Sequence, residues 1–222
     1  MKILCVADHI DPLVYSPGIK TRFQDIGLVL SAGDLPFTYY DFIMSTLNKP
    51  LLFVFGNHNL RGFDSYSGCR DPLGRPGPAR REGENPCCGA VHVGSRVFRE
   101  KKVLVAGLGG SMWYNGGENQ FTELQAYFRL GLLVPRLLYN RLRFGRFLDV
   151  LLTHAPPYGI HDGKDRCHRG FKAFLWFMRA FKPRYLVHGH MHLYSRDQPR
   201  ATLYHRTTVV NAYEHAVIDV GA

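Results

Sequence analysis

The sequence contains no long hydrophobic run. None of its apolar stretches approaches the roughly 20 consecutive residues that a membrane-spanning helix needs. The first apolar stretch, residues 3–7, is also too short to be the hydrophobic region of a signal peptide. We therefore expect no transmembrane helix and a cytoplasmic protein.

Cysteine is scarce and odd in number. The 5 cysteines are Cys5, Cys69, Cys87, Cys88 and Cys167. An odd number with one adjacent pair is untypical of a disulfide framework and fits a reducing compartment. Three of the cysteines lie near His92, but they lack the paired CxxC spacing of a structural zinc site, which makes such a site the less favoured alternative.

Acidic residues are fewer than basic ones. The chain has 18 Asp and Glu against 28 Lys and Arg, which gives a formal net charge of +10. This excess favours an anionic partner: a phosphorylated small molecule, a nucleic acid or an anionic lipid surface. The charge alone does not choose among them.

Internal repeats and dividing linkers are absent too, so the 222 residues are expected to form one domain. Short apolar runs predict buried strands at residues 3–7, 28–32, 51–55, 103–108, 147–153, 185–187, 207–211 and 215–220. Helical length and a Pro at its start predict a helix at residues 36–48, and an amphipathic pattern predicts another at 171–181. Strands alternating with helices indicate the α/β class.

Metal-ligand residue types follow directly after these predicted strands. They are Asp8, Asp34, Asn57 with His58, His154, and His190 with His192. Loops that leave the carboxyl ends of strands converge in α/β sheets, so we expect these side chains to meet in one site. His190 and His192 are two residues apart and in extended backbone would face the same side.

The ordered fragments GD, GNH, TH and GHxH, preceded by Asp8, resemble the motif set of the calcineurin-like metallophosphoesterases, and the resemblance runs from Asp8 to His192. It implies an α/β fold with two central β-sheets packed as a sandwich and flanked by helices. It also implies a two-metal site at one edge that hydrolyses a phosphate mono- or diester, because two cations lower the pKa of bound water.

The resemblance further implies a role for each site residue. The bridging carboxylate is Asp34, the second metal is held by Asn57, His154 and His190, and the first metal is held by Asp8 and His192. His58 then projects toward the substrate, where an imidazolium could stabilise the phosphoryl charge and protonate the leaving oxygen.

The chain departs from the family at the first motif. The common form, D-x-H, would place a His at position 10, where the chain has Ile10. Asp11, just before Pro12, is the favoured substitute ligand or hydrogen-bond acceptor, with His9 or a water as alternatives. A carboxylate there would favour Mn²⁺, Mg²⁺ or iron over Zn²⁺, so we expect two divalent ions, foremost Mn²⁺ or iron, with Zn²⁺ or Mg²⁺ as alternatives. If nothing replaces the missing His, the protein could be a non-catalytic member that binds anions or nucleic acid.

Three polar or basic segments lie beside these motifs. Residues 159–170 offer Lys164 and Arg166 for an anionic substrate, or form a solvated charged loop. Residues 130–147 carry Arg136, Arg141, Arg143 and Arg146 among apolar residues; such a basic amphipathic helix could lie on an anionic membrane or a nucleic acid, or could pack on the core with a solvated face. The Gly, Pro and Arg-rich insertion at residues 65–89 predicts a surface loop or a flap over the site.

Overall fold

The structure is a computed structural model that describes residues 1–58, 60, 89–195 and 198–221. The predicted loop at residues 65–89 therefore lies outside the described residues except for Gly89, as do Cys69, Cys87 and Cys88. The two predictions that rest on these positions, a flap and a zinc cluster, remain predictions.

The described residues form thirteen strands and five helices. The strands are β1 (Lys2–Ala7), β2 (Ile26–Ser31), β3 (Leu51–Phe53), β4 (Val91–His92), β5 (Arg96–Glu100), β6 (Val103–Leu108), β7 (Ser111–Met112), β8 (Gln120–Phe121), β9 (Val150–Thr153), β10 (Tyr185–His188), β11 (Ala201–Tyr204), β12 (Thr207–Asn211) and β13 (Glu214–Asp219). The helices are α1 (Ile19–Arg22), α2 (Phe37–Leu47), α3 (Glu123–Gly131), α4 (Val134–Phe144) and α5 (Lys172–Phe181).

Most strands belong to two sheets. A five-stranded sheet has the order β13-β1-β2-β3-β4, and a six-stranded sheet has the order β11-β12-β10-β9-β6-β5. The central strands run parallel in both sheets, from β1 to β4 in the first and from β6 through β9 and β10 to β12 in the second. The parallel strands of each sheet therefore end at a common edge, which is where the sequence places the metal-ligand residue types.

The side chains of the central strands alternate between two buried layers. In β1, Ile3 and Cys5 face the core between the sheets, while Leu4 and Val6 pack under α1 and α2. In β6, Val105 faces the same central core, while the side chains on the other side pack with α3, α4 and α5. Two sheets thus pack as a sandwich with helices outside, and this confirms the fold implied by the sequence.

Two predicted elements differ from the observed ones. The strand predicted at residues 147–153 begins only at Val150; just before it, the buried Asp149 carboxylate accepts hydrogen bonds from the Leu104 backbone N–H at 2.9 Å and from Arg146. The helical segment 130–147 divides into α3 and α4, and Pro135 lies in the first turn of α4, where its missing N–H costs nothing. Among the described helices, none has both the length and the apolar character needed to cross a bilayer.

Candidate metal centre

Side chains from three parallel strand ends converge at the shared edge of the sheets. Asp8 follows β1, Asp34 lies beyond β2 and His154 follows β9, and one donor atom from each lies within 4.8 Å of the others. The Nε2 atom of His154 is 3.2 Å from Oδ2 of Asp34 and 3.1 Å from Oδ1 of Asn57. The structure thus brings together four of the ligands predicted from the sequence.

The backbone turns sharply at three of the predicted ligands. Asp8, Asp34 and His190 have φ angles of 64°, 58° and 66°, in the left-handed region that residues with a Cβ seldom adopt. Asp tolerates this region because its short side chain bonds to nearby backbone, whereas for His190 the conformation carries strain. The turns point these side chains out of the strands and toward one another.

Two glycines leave room for the carboxylates. A Cβ on Gly56 would lie 2.1 Å from Oδ1 of Asp34, and a Cβ on Gly189 would lie 2.7 Å from Oδ2 of Asp8. Each distance is too short for any real side chain, so both positions require the hydrogen of glycine. This explains the Gly that precedes Asn57 and the Gly that precedes His190.

Backbone N–H groups hold both carboxylates in place. The His190 N–H donates to Oδ1 and Oδ2 of Asp8 at 3.0 and 2.9 Å. The His58 N–H donates to Oδ1 of Asp34 at 3.0 Å, which leaves Oδ2 turned toward His154. The carboxylates are therefore positioned by the fold itself.

Carbonyl groups orient the two buried imidazoles. Nδ1 of His154 donates to the Ala32 carbonyl at 2.7 Å, so Nε2 is the nitrogen left to face the cluster. Nε2 of His190 donates to the Cys167 carbonyl at 2.6 Å, which leaves its Nδ1 as the free nitrogen. Metal-ligating histidines typically donate their other ring N–H to a carbonyl or carboxylate in this way, so the donor set fits a divalent metal ion.

The charges of the cluster act on one another across a buried space. Burial raises the pKa of the Asp8 carboxyl to about 6. The negative charge of Asp34 adds to this rise, whereas the positive charge of His154 opposes it. Burial also disfavours a charged His154, but the carboxylates of Asp34 and Asp8 outweigh it and raise the pKa of His154 to about 9. Burial acts against the charged form of Asp34 as well, yet the interaction with His154 lowers its pKa. Two carboxylates held this close in a buried site favour a bound cation.

His58 and His192 lie at the exposed rim of the cluster. Nδ1 of His192 is 3.0 Å from the Tyr194 hydroxyl, and its ring centroid is 4.9 Å from that of Tyr213. Burial and the neighbouring His168 lower the pKa of His192, while the charge of Asp34 opposes this shift.

Asp11 is not part of the group formed by Asp8, Asp34 and His154, and its role as a substitute ligand for the missing His stays a prediction. Its side chain is 7% exposed, with Oδ1 accepting from the Leu13 N–H at 2.7 Å and Oδ2 bonded to Nδ1 of His215. Both oxygens are therefore engaged away from the site. The alternative, His9, has an exposed ring 3.6 Å from the Glu214 carboxylate.

Two groups that orient predicted ligands could not be recognised in the sequence. The Tyr114 hydroxyl accepts from Nδ2 of Asn57 at 3.3 Å and thereby turns Oδ1 of Asn57 toward His154. The carbonyl that orients His190 belongs to Cys167, and a backbone carbonyl leaves no signal in a sequence.

A cavity of about 400 Å³ opens beside the loop that carries Cys167. It is lined by Met112, Trp113, Glu123, Tyr158, Arg166, Arg169 and Lys172. Of the two predicted substrate residues, Arg166 lines this cavity, whereas Lys164 is an exposed residue of the same loop outside the lining. The same loop also holds Asp165, Cys167 and His168, whose donor atoms lie within 4.8 Å of one another.

The model of the calcineurin-like phosphoesterase family matches residues 1–194, and the chain belongs to that family. One solved structure superposes with a TM-score of 0.63 at 13% identity, covering 99% of this chain and 95% of its own. The protein TT1561 of Thermus thermophilus superposes with a TM-score of 0.58 at 15% identity, covering 96% of this chain and 89% of its own. At these identities the likeness shows the fold alone. No curated protein matches the sequence.

Proposed function

We propose that the protein hydrolyses a phosphate mono- or diester with two divalent metal ions. The observation that carries this proposal is the convergence of Asp8, Asp34 and His154 at the ends of parallel strands, with donor atoms within 4.8 Å of one another. Oδ1 of Asn57 joins them at 3.1 Å from Nε2 of His154. Family membership supports it at the level of a phosphoesterase.

The residues present suggest how two ions would be shared. Asp34 is the proposed bridge, because it lies in the group that contains both Asp8 and His154. Asn57, His154 and His190 would hold one ion, and Asp8 and His192 the other. When bound, two cations would activate water and neutralise phosphoryl charge. The carboxylate and amide oxygens favour Mn²⁺ or iron, with Zn²⁺ or Mg²⁺ as alternatives.

His58 is the proposed acid for the leaving oxygen. Its backbone N–H is fixed to Asp34 while its side chain is exposed at the rim, so the imidazole is tied to the site without being buried in it. A general acid has to be within hydrogen-bond reach of the leaving oxygen, and this position allows that.

The cavity lined by Arg166 and Arg169 is the proposed location of the rest of the substrate, because the loop that carries both residues also holds the Cys167 carbonyl that orients His190. No carboxylate among the described residues forms an ion pair with Arg166, Arg169 or Lys172. The Arg169 guanidinium lies 5.3 Å from the centre of the Tyr158 ring, and the Lys172 ammonium lies 5.1 Å from it. Free guanidinium and ammonium groups favour a second anionic group on the substrate. Lys164 would act at longer range from the exposed part of the loop.

Hydrolysis assays test the proposed activity. Purified protein with added Mn²⁺ should release p-nitrophenol from p-nitrophenyl phosphate, from bis(p-nitrophenyl) phosphate or from both, and a chelator should abolish the release. The ratio of the two rates identifies monoester or diester preference. Absence of metal-dependent release with both compounds, from protein shown to be folded, would count against the proposal.

A non-catalytic member of the family is the second candidate, and one observation favours it. Ile10 is apolar, and Asp11 is turned toward His215, so neither supplies the donor that the first motif usually provides. Such a protein would bind one ion or none and would still bind phosphate-containing anions.

The cellular compartment also stays a prediction: the odd cysteine count favours a reducing, cytoplasmic location.

A further inference from the structure

Large apolar side chains project from α3 on the side away from the sheet. Leu124 and Phe128 are one turn apart, and their exposed fractions are 79% and 67%. Each leaves an apolar surface in water that would be stabilised by transfer to an apolar phase. Side chains this exposed contribute little to the packing of the described residues.

Helix α4 has a similar exposed stripe. Leu138 is 51% exposed, Leu142 one turn later is 88% exposed, and Tyr139 beside them is 49% exposed. Single exposed apolar residues are common on protein surfaces, but a repeated pair at a spacing of four residues on two consecutive helices is a patch.

The two stripes face the same side of the molecule. Ala126 and Leu130 of α3 and Leu137 of α4 belong to one core cluster that covers the outer face of the six-stranded sheet. Because both helices bury their inner sides against the same layer, their opposite sides point away from it together. We refer to Leu124, Phe128, Leu138 and Leu142 with their surroundings as the α3/α4 face.

The α3/α4 face is strongly basic. Between residues 124 and 148 the sequence has no Asp or Glu, and its arginines are Arg129, Arg136, Arg141, Arg143 and Arg146. Arg136, Arg141 and Arg143 are exposed, and the Arg136 guanidinium lies 4.8 Å from the centre of the Tyr139 ring. Apolar side chains and exposed cations therefore alternate along α4, whereas α3 carries only Arg129, whose guanidinium donates to Ser95 and to the Gly109 carbonyl.

A basic cavity lies at the end of α4. It has a volume of about 460 Å³, and its lining includes Phe144 of α4 and the cations Arg99, Lys101, Lys102, Arg146 and Arg184. The Asp149 carboxylate in its wall is already engaged by Arg146 at 2.7 Å and by the Leu104 N–H. This leaves a positive cavity suited to an anionic headgroup at the edge of the α3/α4 face.

We propose that the α3/α4 face binds the surface of a lipid bilayer that contains anionic lipids. A bilayer interface offers an anionic layer for the arginines and, directly beneath it, an apolar phase for the four large side chains. A nucleic acid matches the charge but offers no apolar phase to Leu138 and Leu142. Glu123 lines the cavity that contains Arg166 and Arg169, and Leu124 follows it, so the bound protein would present that cavity near the membrane surface. The proposal does not depend on the hydrolytic activity.

Vesicle co-sedimentation tests the proposal on the complete chain. The protein should bind vesicles of phosphatidylcholine with phosphatidylglycerol, should bind pure phosphatidylcholine vesicles far more weakly, and should lose affinity as salt is raised. The double variant Leu138→Glu/Leu142→Glu should weaken binding by at least about tenfold, because each change removes an apolar contact and adds a negative charge. Leu203→Glu is the matched control, since Leu203 is 70% exposed on β11, away from this face, and should leave binding unchanged.

Other occupants of the face give distinct results. The proposal is overturned if Leu203→Glu weakens vesicle binding as much as the double variant does. It is also overturned if protein with a native circular dichroism spectrum does not bind anionic vesicles. Binding to duplex DNA that survives the double variant, without vesicle binding, points to a nucleic acid and overturns it as well. A dimer in gel filtration that the double variant converts to a monomer would assign the face to a second copy of this chain instead.

Discussion

At the scale of single residues, the orientation of a side chain decides its role more than its type does. Asp34 and Asp11 both have largely buried carboxylates, and they follow strands β2 and β1 respectively. Asp34 turns one oxygen toward His154 because the His58 N–H holds the other. Asp11 turns both oxygens away from the site, toward Leu13 and His215.

This difference gives a prediction for Asp11. Asp11→Ala should leave metal content unchanged and lower the free energy of unfolding by about 1–3 kcal/mol, because the Leu13 N–H and the His215 ring lose their acceptor. Asp11→Asn keeps an acceptor oxygen and should cost less. Urea unfolding and elemental analysis of the same samples measure the two effects. Loss of one metal ion in Asp11→Ala would restore Asp11 as a ligand.

A second prediction concerns His58. His58→Ala should retain the metal content of the unmodified protein and lower turnover by about 10²–10⁴-fold for a substrate with a poor leaving group. The loss should be much smaller for a p-nitrophenyl ester, whose leaving oxygen needs little protonation. Equal losses for both kinds of substrate would argue against an acid role, and loss of metal would make His58 a ligand.

The part of the candidate site that the sequence could predict consists of metal-ligand residue types that follow a buried strand. Asp8, Asp34 and His154 could be recognised in this way, and the structure brings them together. The orientation of Asp11 could not be predicted, because it depends on His215, 204 positions away along the chain. The support that Tyr114 gives to Asn57 likewise arises only once the chain has folded.

At the scale of elements, burial on both faces made the central strands predictable. Strands such as β6 and β9 are buried at every position and appear in the sequence as continuous apolar runs. The edge strands β5 and β11 have exposed positions, and their mixed composition gave no strand signal. In β5 the exposed positions carry Arg96 and Arg99, so its pattern resembles that of a loop, and β11 has only four residues with alternate positions exposed.

One element-scale prediction concerns the contact between α3 and α5. Glu123, the first residue of α3, accepts hydrogen bonds from the first backbone N–H groups of α5, Lys172 at 3.2 Å and Ala173 at 2.6 Å. Glu123→Ala should lower the free energy of unfolding by about 1 kcal/mol, as for loss of a helix cap, and Glu123→Gln by less. Glu118→Ala, at an exposed position, is the matched control. Equal urea midpoints for Glu123→Ala and Glu118→Ala would show that this cap contributes nothing.

At the scale of the whole molecule, burial between the layers lowers the pKa of several histidines. Burial lowers the pKa of His92 to about 4, and the charges of Arg96 and Arg129 contribute to the same shift. The His92 ring packs against Phe53 and Phe55, with centroids 5.3 and 5.1 Å away. An imidazole in this position stays neutral in the folded protein at pH values where the unfolded chain would protonate it.

The consequence is a loss of stability in acid. The unfolded chain binds the proton near pH 6.5 and the folded chain only near pH 4, so the free energy of unfolding falls as the pH drops between these values. Between about pH 7 and pH 5, His92 alone should account for a loss on the order of 2 kcal/mol. His92→Phe should reduce the acid loss by that amount in urea unfolding at the two pH values. An unchanged pH dependence would mean that His92 titrates normally.

The central claim is that this member of the family uses two metal ions to hydrolyse a phosphate ester, and a metal titration tests it most directly. Protein freed of metal by a chelator is titrated with Mn²⁺, and bound metal and hydrolysis of bis(p-nitrophenyl) and p-nitrophenyl phosphate are measured at each step. We predict that activity appears as binding approaches about two ions per chain. Asp34→Asn should bind fewer ions and be inactive, because a neutral amide cannot bridge two cations as a carboxylate does. Saturation at a single ion without activity, or full activity with two ions in Asp34→Asn, would contradict the account.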